Sequence, residues 1–211
     1  NARFDKDAAD QLDHLTRLQA HLNAGFLAID FNENLSEAVA IERKSLFLLT
    51  DKPVIYLANS DDATSAEAIE AVKGVVGNKT VLALDVKTES ELASMQDDER
   101  KLFMEELGIS ETGIDRLTRE AYDLLGLISF FTEGPEEVRA WTIRKGSTAP
   151  EAASAIHTDF QKRFIAAEVC PYHEYITAGS WLKAKENGKV RLEGKTYVVK
   201  DGDIMIIKHN A

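Results

Sequence analysis

Asn59 and Asp62 close the apolar run VIYLANSDD, residues 54–62, at an Asn-x-x-Asp spacing. In a parallel α/β sheet the carboxyl end of such a strand faces the crevice where ligands bind. An Asn at that point can tie neighbouring loops together and reach a base edge. A carboxylate three residues on can accept from two adjacent donors on guanine. The same residue types serve turns and caps, so an ordinary surface loop is the competing interpretation. Asp85-Val86-Lys87 follows the next apolar run, TVLAL at 80–84, and reads as a second polar loop at the same edge. A purine fits between two such strand ends. No phosphate loop of the form G-x-x-x-x-G-K-[ST] accompanies them anywhere in the chain.

Other polar groups suggest structure before chemistry. Gly146-Ser147-Thr148-Ala149-Pro150 opens a helix and reads as a capped start, with phosphate binding at that N-terminus as the alternative. His157, on the same helix, is expected as a hydrogen-bonded packing residue. The lone Cys170, between Val169 and Pro171, excludes an internal disulfide and a cysteine zinc site, and is expected to be a small packed residue. The carboxylates at 97–99 and 136–137 lack metal-ligand spacing. Arg139, Arg144, Lys145, Lys162 and Arg163, near Trp141 and Phe164, form a candidate RNA-facing set, with a solvated surface as its alternative. By alternation Arg139, Trp141 and Ile143 share one strand face, so a core Trp141 requires Arg139 to lie along it.

The elements that must position these groups follow from periodicity. Leu12, Leu15, Leu18 and Leu22 mark a helix over 6–24 that stops at Gly25. Asn34-x-x-Glu37 reads as a capping box for a second helix to about 49, completing a helical arm. Residues 53–58, a helix capped by Thr64-x-x-Glu67, and 80–84 make a βαβ unit whose sheet needs further strands. Residues 97–125 read as two helices. Beyond them come strands at 127–132 and 138–143, a helix from 149 or 150 to about 160, a strand at 164–169, a hairpin at Glu193-Gly194 and a final strand after Asp201-Gly202. Strands, one helix, then strands again suggest a β-grasp or similar α+β roll.

The chain has 211 residues and a net charge of −11. Residues 1–126 hold 13 basic and 25 acidic side chains, and residues 127–211 hold 12 and 11. That shift marks a domain boundary at 126/127, and the acidic first part argues against wholesale nucleic-acid binding. The stretch 124–131 is too short for the roughly 20 residues of a membrane helix. NARFDKDAAD carries no signal-peptide core and no Met, so the chain is expected to begin inside a larger protein.

VRAWTIRKGSTAPEAASAIHTDFQKRFIAAEV with GKTYVVKDGDI after it resembles the C-terminal TGS domain of Obg-like ATPases of the YchF family. KSLFLLTDKPVIYLANSDD, DDERKLFMEELGI and GLISFFTEGPEEVRAWTI extend the resemblance over essentially the whole chain. It implies an α/β partial P-loop-type nucleotide domain with a helical arm, plus an α+β β-grasp (TGS) domain. The arm would end at 1–50, the nucleotide domain would occupy 51–126, and the TGS domain 127–211. The P-loop, switch regions and magnesium ligands would lie upstream of Asn1.

The resemblance further implies a cytoplasmic, ribosome-associated parent that binds ATP or GTP with magnesium and hydrolyses ATP in preference. Implied partners are the ribosome or ribosomal RNA and a purine nucleotide; no membrane or DNA partner is expected. This chain alone is expected neither to catalyse nor to hold nucleotide tightly. Asn59 matches the Asn of the family's base-recognition motif, and Ser60 the position whose backbone meets adenine. Asp62 stands where the family usually has Glu, and the shorter carboxylate is the guanine-reading choice of ordinary GTPases. Asp85-Val86-Lys87 replaces a small-residue loop near the base, and Arg163 stands where Gly is common. The alternative is a stand-alone TGS-type regulatory module that binds RNA or protein without hydrolysis.

Overall fold

The computed structural model describes residues 2–61, 66–77, 79–134 and 137–210, with side chains from Lys6 onward. Asp62, the expected cap Thr64 and the turn residues Pro135 and Glu136 lie outside the described residues. The chain forms two compact units, residues 1–109 and 110–211.

The first unit opens with α1 (Ala2–Asn23). Its inward face is carried by Leu18 and His14, each 2% exposed, while Leu12 is 68% exposed. The inward stripe is thus displaced from the leucine series, because the His14 ring packs beside Phe31 and its Nδ1 meets Glu33 Oε2 at 3.0 Å. α2 spans Glu37–Ser45 and is capped by Ser36, whose Oγ accepts from the Val39 N–H; Asn34 is not the cap. Near its end the Arg43 guanidinium pairs with Asp51 and donates to the Ala28 and Phe31 carbonyls, locking the two short turns at Ala28–Asp30 and Leu49–Asp51 together.

β1 (Ile55–Asn59) and β2 (Thr80–Leu84) then pair in parallel, with α3 (Ala66–Val76) between them in sequence. Register runs from Ile55↔Thr80 to Asn59↔Leu84. Leu82 is buried, whereas Leu57 remains 44% exposed, so these apolar strands are only partly covered. α4 (Val86–Ser94) follows β2 directly, where a polar loop was expected. It is held by the buried Leu92 and Glu89. α5 (Asp97–Glu106) ends at Gly108, whose φ of +66° favours glycine.

The second unit begins with α6 (Gly113–Leu125), capped by Thr112 and stopped by Gly126 at φ +62°. This helix lies upstream of the 126/127 charge boundary, yet it groups with the sheet because Tyr122 reaches Thr142 across 3.1 Å. β3 (Leu127–Glu133) and β4 (Val138–Arg144) form a hairpin. α7 (Ala149–Ile156), α8 (Thr158–Arg163), β5 (Phe164–Pro171), α9 (Tyr172–Ala178), α10 (Trp181–Glu186), β6 (Arg191–Glu193) and β7 (Asp203–His209) complete it.

Sheet order is β4-β3-β7-β5-β6, with β7 parallel to β3 and antiparallel to β5. α7 approaches one face through Ala149, Ala152 and Ala153, all fully buried against Phe130, Val169 and Met205. Small side chains on the helix let large ones on the sheet fill the layer.

Three expectations differ from this arrangement. The helix from 149 breaks at His157, whose extended backbone (φ −156°) lets its ring Nδ1 accept the Asp159 N–H and cap α8. His157 is therefore an exposed cap and not a packing residue. No hairpin forms at Glu193-Gly194, because β6 pairs with β5 while Val198 bridges to Thr148. α9 and α10 occupy a stretch with no expected helix. Cys170 is buried as expected, and burial pushes its thiol pKa up. No helix among the described residues is long and apolar enough to cross a membrane.

Candidate nucleotide-base site and basic surfaces

The carboxyl ends of β1 and β2 lie side by side, and the ladder continues one step past them through Ser60 N–H to Leu84 O at 3.0 Å. Asn59 then reaches across. Its side-chain oxygen accepts the Val86 N–H at 3.3 Å, tying the end of β1 to the first turn of α4. With Oδ1 used in this way, the Nδ2 donors make no hydrogen bond among the described residues. They are suited to an acceptor such as purine N7, which adenine and guanine share. Asn59 can therefore select a purine without choosing between the two. Any choice made by a carboxylate at Asp62 lies outside the described residues.

Asp85 is committed elsewhere. Its Oδ1 accepts the Lys87 and Thr88 N–H groups at 2.9 and 3.2 Å, and its Oδ2 accepts the Thr88 hydroxyl at 2.7 Å. The Thr88 hydroxyl, with help from its backbone N–H, holds the Asp85 carboxyl below its usual pKa. Asp85 is a helix N-cap. Val86 and Lys87 have both amides occupied, which leaves only their exposed side chains to flank a base. Ser60 has its N–H occupied too, so its carbonyl and hydroxyl are what it can offer.

No phosphate-loop sequence and, among the described residues, no metal-ligand cluster accompany this edge. The Gly194-Lys195-Thr196 sequence has Lys189 where a phosphate loop needs Gly, and it forms a turn with no helix after it. Among the described residues no group of three or more His, Cys, Asp or Glu converges as a metal site does.

The second unit carries the basic side chains. Arg139 lies over the Trp141 ring, 4.3 Å from its centroid, and pairs with Glu137 at 3.6 Å, as the strand alternation requires. Arg144 and Lys145 end β4 and are exposed. Lys162 and Arg163 occupy the last turn of α8. None of the described hydrogen bonds or ion pairs joins the β4 group to the α8 group.

A further basic group was missed by the sequence reading: Lys183, Lys185, Lys189 and Arg191 run from α10 into β6. The spacing was available, but only the folded sheet shows Lys185 and Lys208 converging on Glu168. Those two ammonium groups pull the Glu168 pKa down to about 2. A groove of about 750 Å³ also opens between α6 and the sheet, lined among others by Tyr122, Leu127, Phe131, Lys145 and Val198. No sequence motif announces it.

The fold defines a mixed α/β protein, with a two-stranded parallel pair in one unit and a five-stranded mixed sheet in the other. Residues 127–210 match the family model YchF-GTPase_C, described as a protein of unknown function (DUF933). The Ribosome-binding ATPase YchF of Bacillus subtilis (strain 168) is 41% identical over 98% of this chain and 58% of its own length. Its counterpart in Escherichia coli O157:H7 is 42% identical over 95% of this chain and 56% of its own length. The solved structure of the Schizosaccharomyces pombe YchF GTPase superposes with a TM-score of 0.76 at 29% identity, covering 96% of this chain and 62% of that one. The chain belongs to the YchF family of Obg-like ATPases. It spans a little over half the length of the curated relatives it matches.

Proposed function

We propose that this chain supplies the base-recognition edge and a TGS-type β-grasp module to a YchF-type nucleotide hydrolase that acts at the ribosome. The observation that carries the first part is the Asn59 carboxamide, anchored through Oδ1 on Val86 and presenting Nδ2 at the carboxyl end of a parallel strand pair. The mixed sheet, with one helix face covered by α7, is the architecture a β-grasp module has. Ribosome binding and ATPase activity are what the names of the bacterial relatives state for those proteins, and they extend to the parent of this chain as part of the proposal.

In this reading the nucleotide is ATP or GTP with magnesium, and the residues that hold phosphate and metal come from outside the 211 residues. The parent works in the cytoplasm. In this reading the 211-residue chain alone does not turn nucleotide over, since its sequence carries no G-x-x-x-x-G-K-[ST] to hold a γ-phosphate. Arg139, Arg144, Lys145, Lys162 and Arg163 supply electrostatic contacts to ribosomal RNA.

The test uses a full-length protein containing this chain. Asn59→Ala should weaken ATP and GTP binding equally, by about threefold to tenfold, the worth of one hydrogen bond. Unchanged affinity for both nucleotides overturns base recognition by Asn59. A loss confined to one of them overturns the shared-acceptor argument.

A further inference from the structure

We infer that β4 is a self-pairing edge, through which two copies of this chain join their five-stranded sheets antiparallel about a two-fold axis at Trp141. The inference is independent of nucleotide binding.

Among the described residues β4 is a sheet edge with β3 alone beside it, seven residues long, with no register shift in its ladder. Long, flat, unprotected edges are uncommon in natural monomers, which shorten, bend or cover them. The opposite edge of this sheet obeys that rule: β6 has three residues. Val138 on β4 is 73% exposed, and Ala140, Thr142 and Arg144 are exposed too.

The ladder settles which β4 groups face away from β3. Lys145 N–H donates to Gly126 O at 2.7 Å, and Gly134 N–H to Glu137 O at 2.9 Å. Both pairs continue the register Leu127↔Arg144 to Glu133↔Val138, so hydrogen-bonded pairs fall on Arg139, Trp141 and Ile143. The N–H and C=O groups of Val138, Ala140, Thr142 and Arg144 therefore point away from β3.

These four residues are self-complementary. Antiparallel pairing centred on Trp141 sets Val138 against Arg144 of the second copy, and Ala140 against Thr142. The Ala140–Thr142 pairs then exchange both of their bonds, and each Val138–Arg144 pair adds the Arg144 N–H to Val138 O bond, the Arg144 carbonyl already accepting the Ser147 N–H at 3.1 Å. The same register sets Glu137 against Lys145 of the second copy at both ends, opposite charges across the strands. Arg139 faces Ile143 of the second copy, so no like charges oppose one another.

A strand pair of this length is small beside the ~1,600 Å² of a standard interface, so sedimentation velocity should span about 10 µM to 1 mM. The 211-residue chain should pass from monomer to dimer over that range. Ala140→Pro removes an outward N–H and none of the β3–β4 bonds, so the sheet keeps its ladder. It should weaken association at least about tenfold while leaving the melting curve in place. Lys145→Glu should also weaken association, and adding Glu137→Lys should restore it, which no role internal to one copy would produce. A chain that stays monomeric throughout, as it would if the edge served another partner, overturns the proposal. So does dimerisation indifferent to Ala140→Pro, or a charge swap that fails to restore pairing.

Discussion

Asn59 Oδ1 accepts the Val86 N–H at 3.3 Å, so one side chain at the end of β1 anchors the first turn of the helix after β2. Asn59 ends β1 and Val86 opens α4, where the Lys87 and Thr88 amides are taken by Asp85. The carboxamide oxygen ties the strand edge to the helix, while its nitrogen makes no hydrogen bond among the described residues.

Asn59→Ala should therefore release the Val86 amide even without nucleotide. Hydrogen exchange at Val86 should accelerate by about threefold to tenfold, while the Lys87 and Thr88 amides, still held by Asp85, change little. Equal protection at Val86 in both proteins would show that the contact carries no weight in solution.

Asp85 caps α4, and its carboxyl pKa is lowered chiefly by the Thr88 hydroxyl. An unfolded Asp titrates near 3.8, above the folded value. The capping contribution is thus complete above that pH and fades as pH falls through the lower folded value. Asp85→Ala should lower Tm by about 4 °C at pH 7, with the difference shrinking in acid. Thermal melts at pH 7 and pH 2.5 check this, and a pH-independent difference would contradict it.

How much of this was legible depended on length and on partners. Ile55–Asn59 and Thr80–Leu84 stood out because their apolar residues are contiguous, and Gly25 and Gly108 marked helix ends where left-handed backbone was needed. α4 was hidden because Leu92 is the one apolar residue it buries, too little to make a period. α9 and α10, with seven and six residues, are shorter than two helical turns, and pattern arguments need more. Glu193-Gly194 looked like a hairpin because turn chemistry is local, whereas the preference of β6 for β5 is decided by a strand more than twenty residues away. Asn59 was found at the sequence level, but Asp85 changed from ligand candidate to cap only once Thr88 was beside it.

Glu168 receives Lys185 Nζ at 3.0 Å and Lys208 Nζ at 2.6 Å, joining α10 to β7 across β5. Its folded pKa of about 2 lies below the ordinary 4.5. The stabilisation is full above about pH 4.5 and disappears as pH falls toward 2. Both lysines are about half exposed, so solvent screening limits the clamp to roughly 1 kcal/mol. Glu168→Gln should lose that amount in urea unfolding at pH 7 and only a minor part of it at pH 2, where the folded carboxylate is half protonated. High salt should narrow the gap between the two proteins; a gap that survives both acid and salt would point to packing instead.

Tyr197 and Asp203 close the last loop onto the final strand. Asp203 is 1% exposed, and its Oδ2 accepts both the Tyr197 hydroxyl at 2.7 Å and the Lys200 N–H at 2.9 Å. Burial, followed by the Asp203 hydrogen bond, pushes the Tyr197 pKa up to about 12. A phenol whose folded pKa exceeds its unfolded value of 10 stabilises the fold fully below pH 10, and that contribution is lost as pH rises through about 12. Tyr197→Phe should cost about 2 kcal/mol at neutral pH, because a buried carboxylate loses one of its two donors while the ring still fills its place. The difference between wild type and variant should shrink above pH 10, and absorbance near the tyrosinate band should reveal one phenol that ionises last. A Tyr197→Phe variant as stable as wild type at pH 7 would mean that the Lys200 amide alone satisfies Asp203.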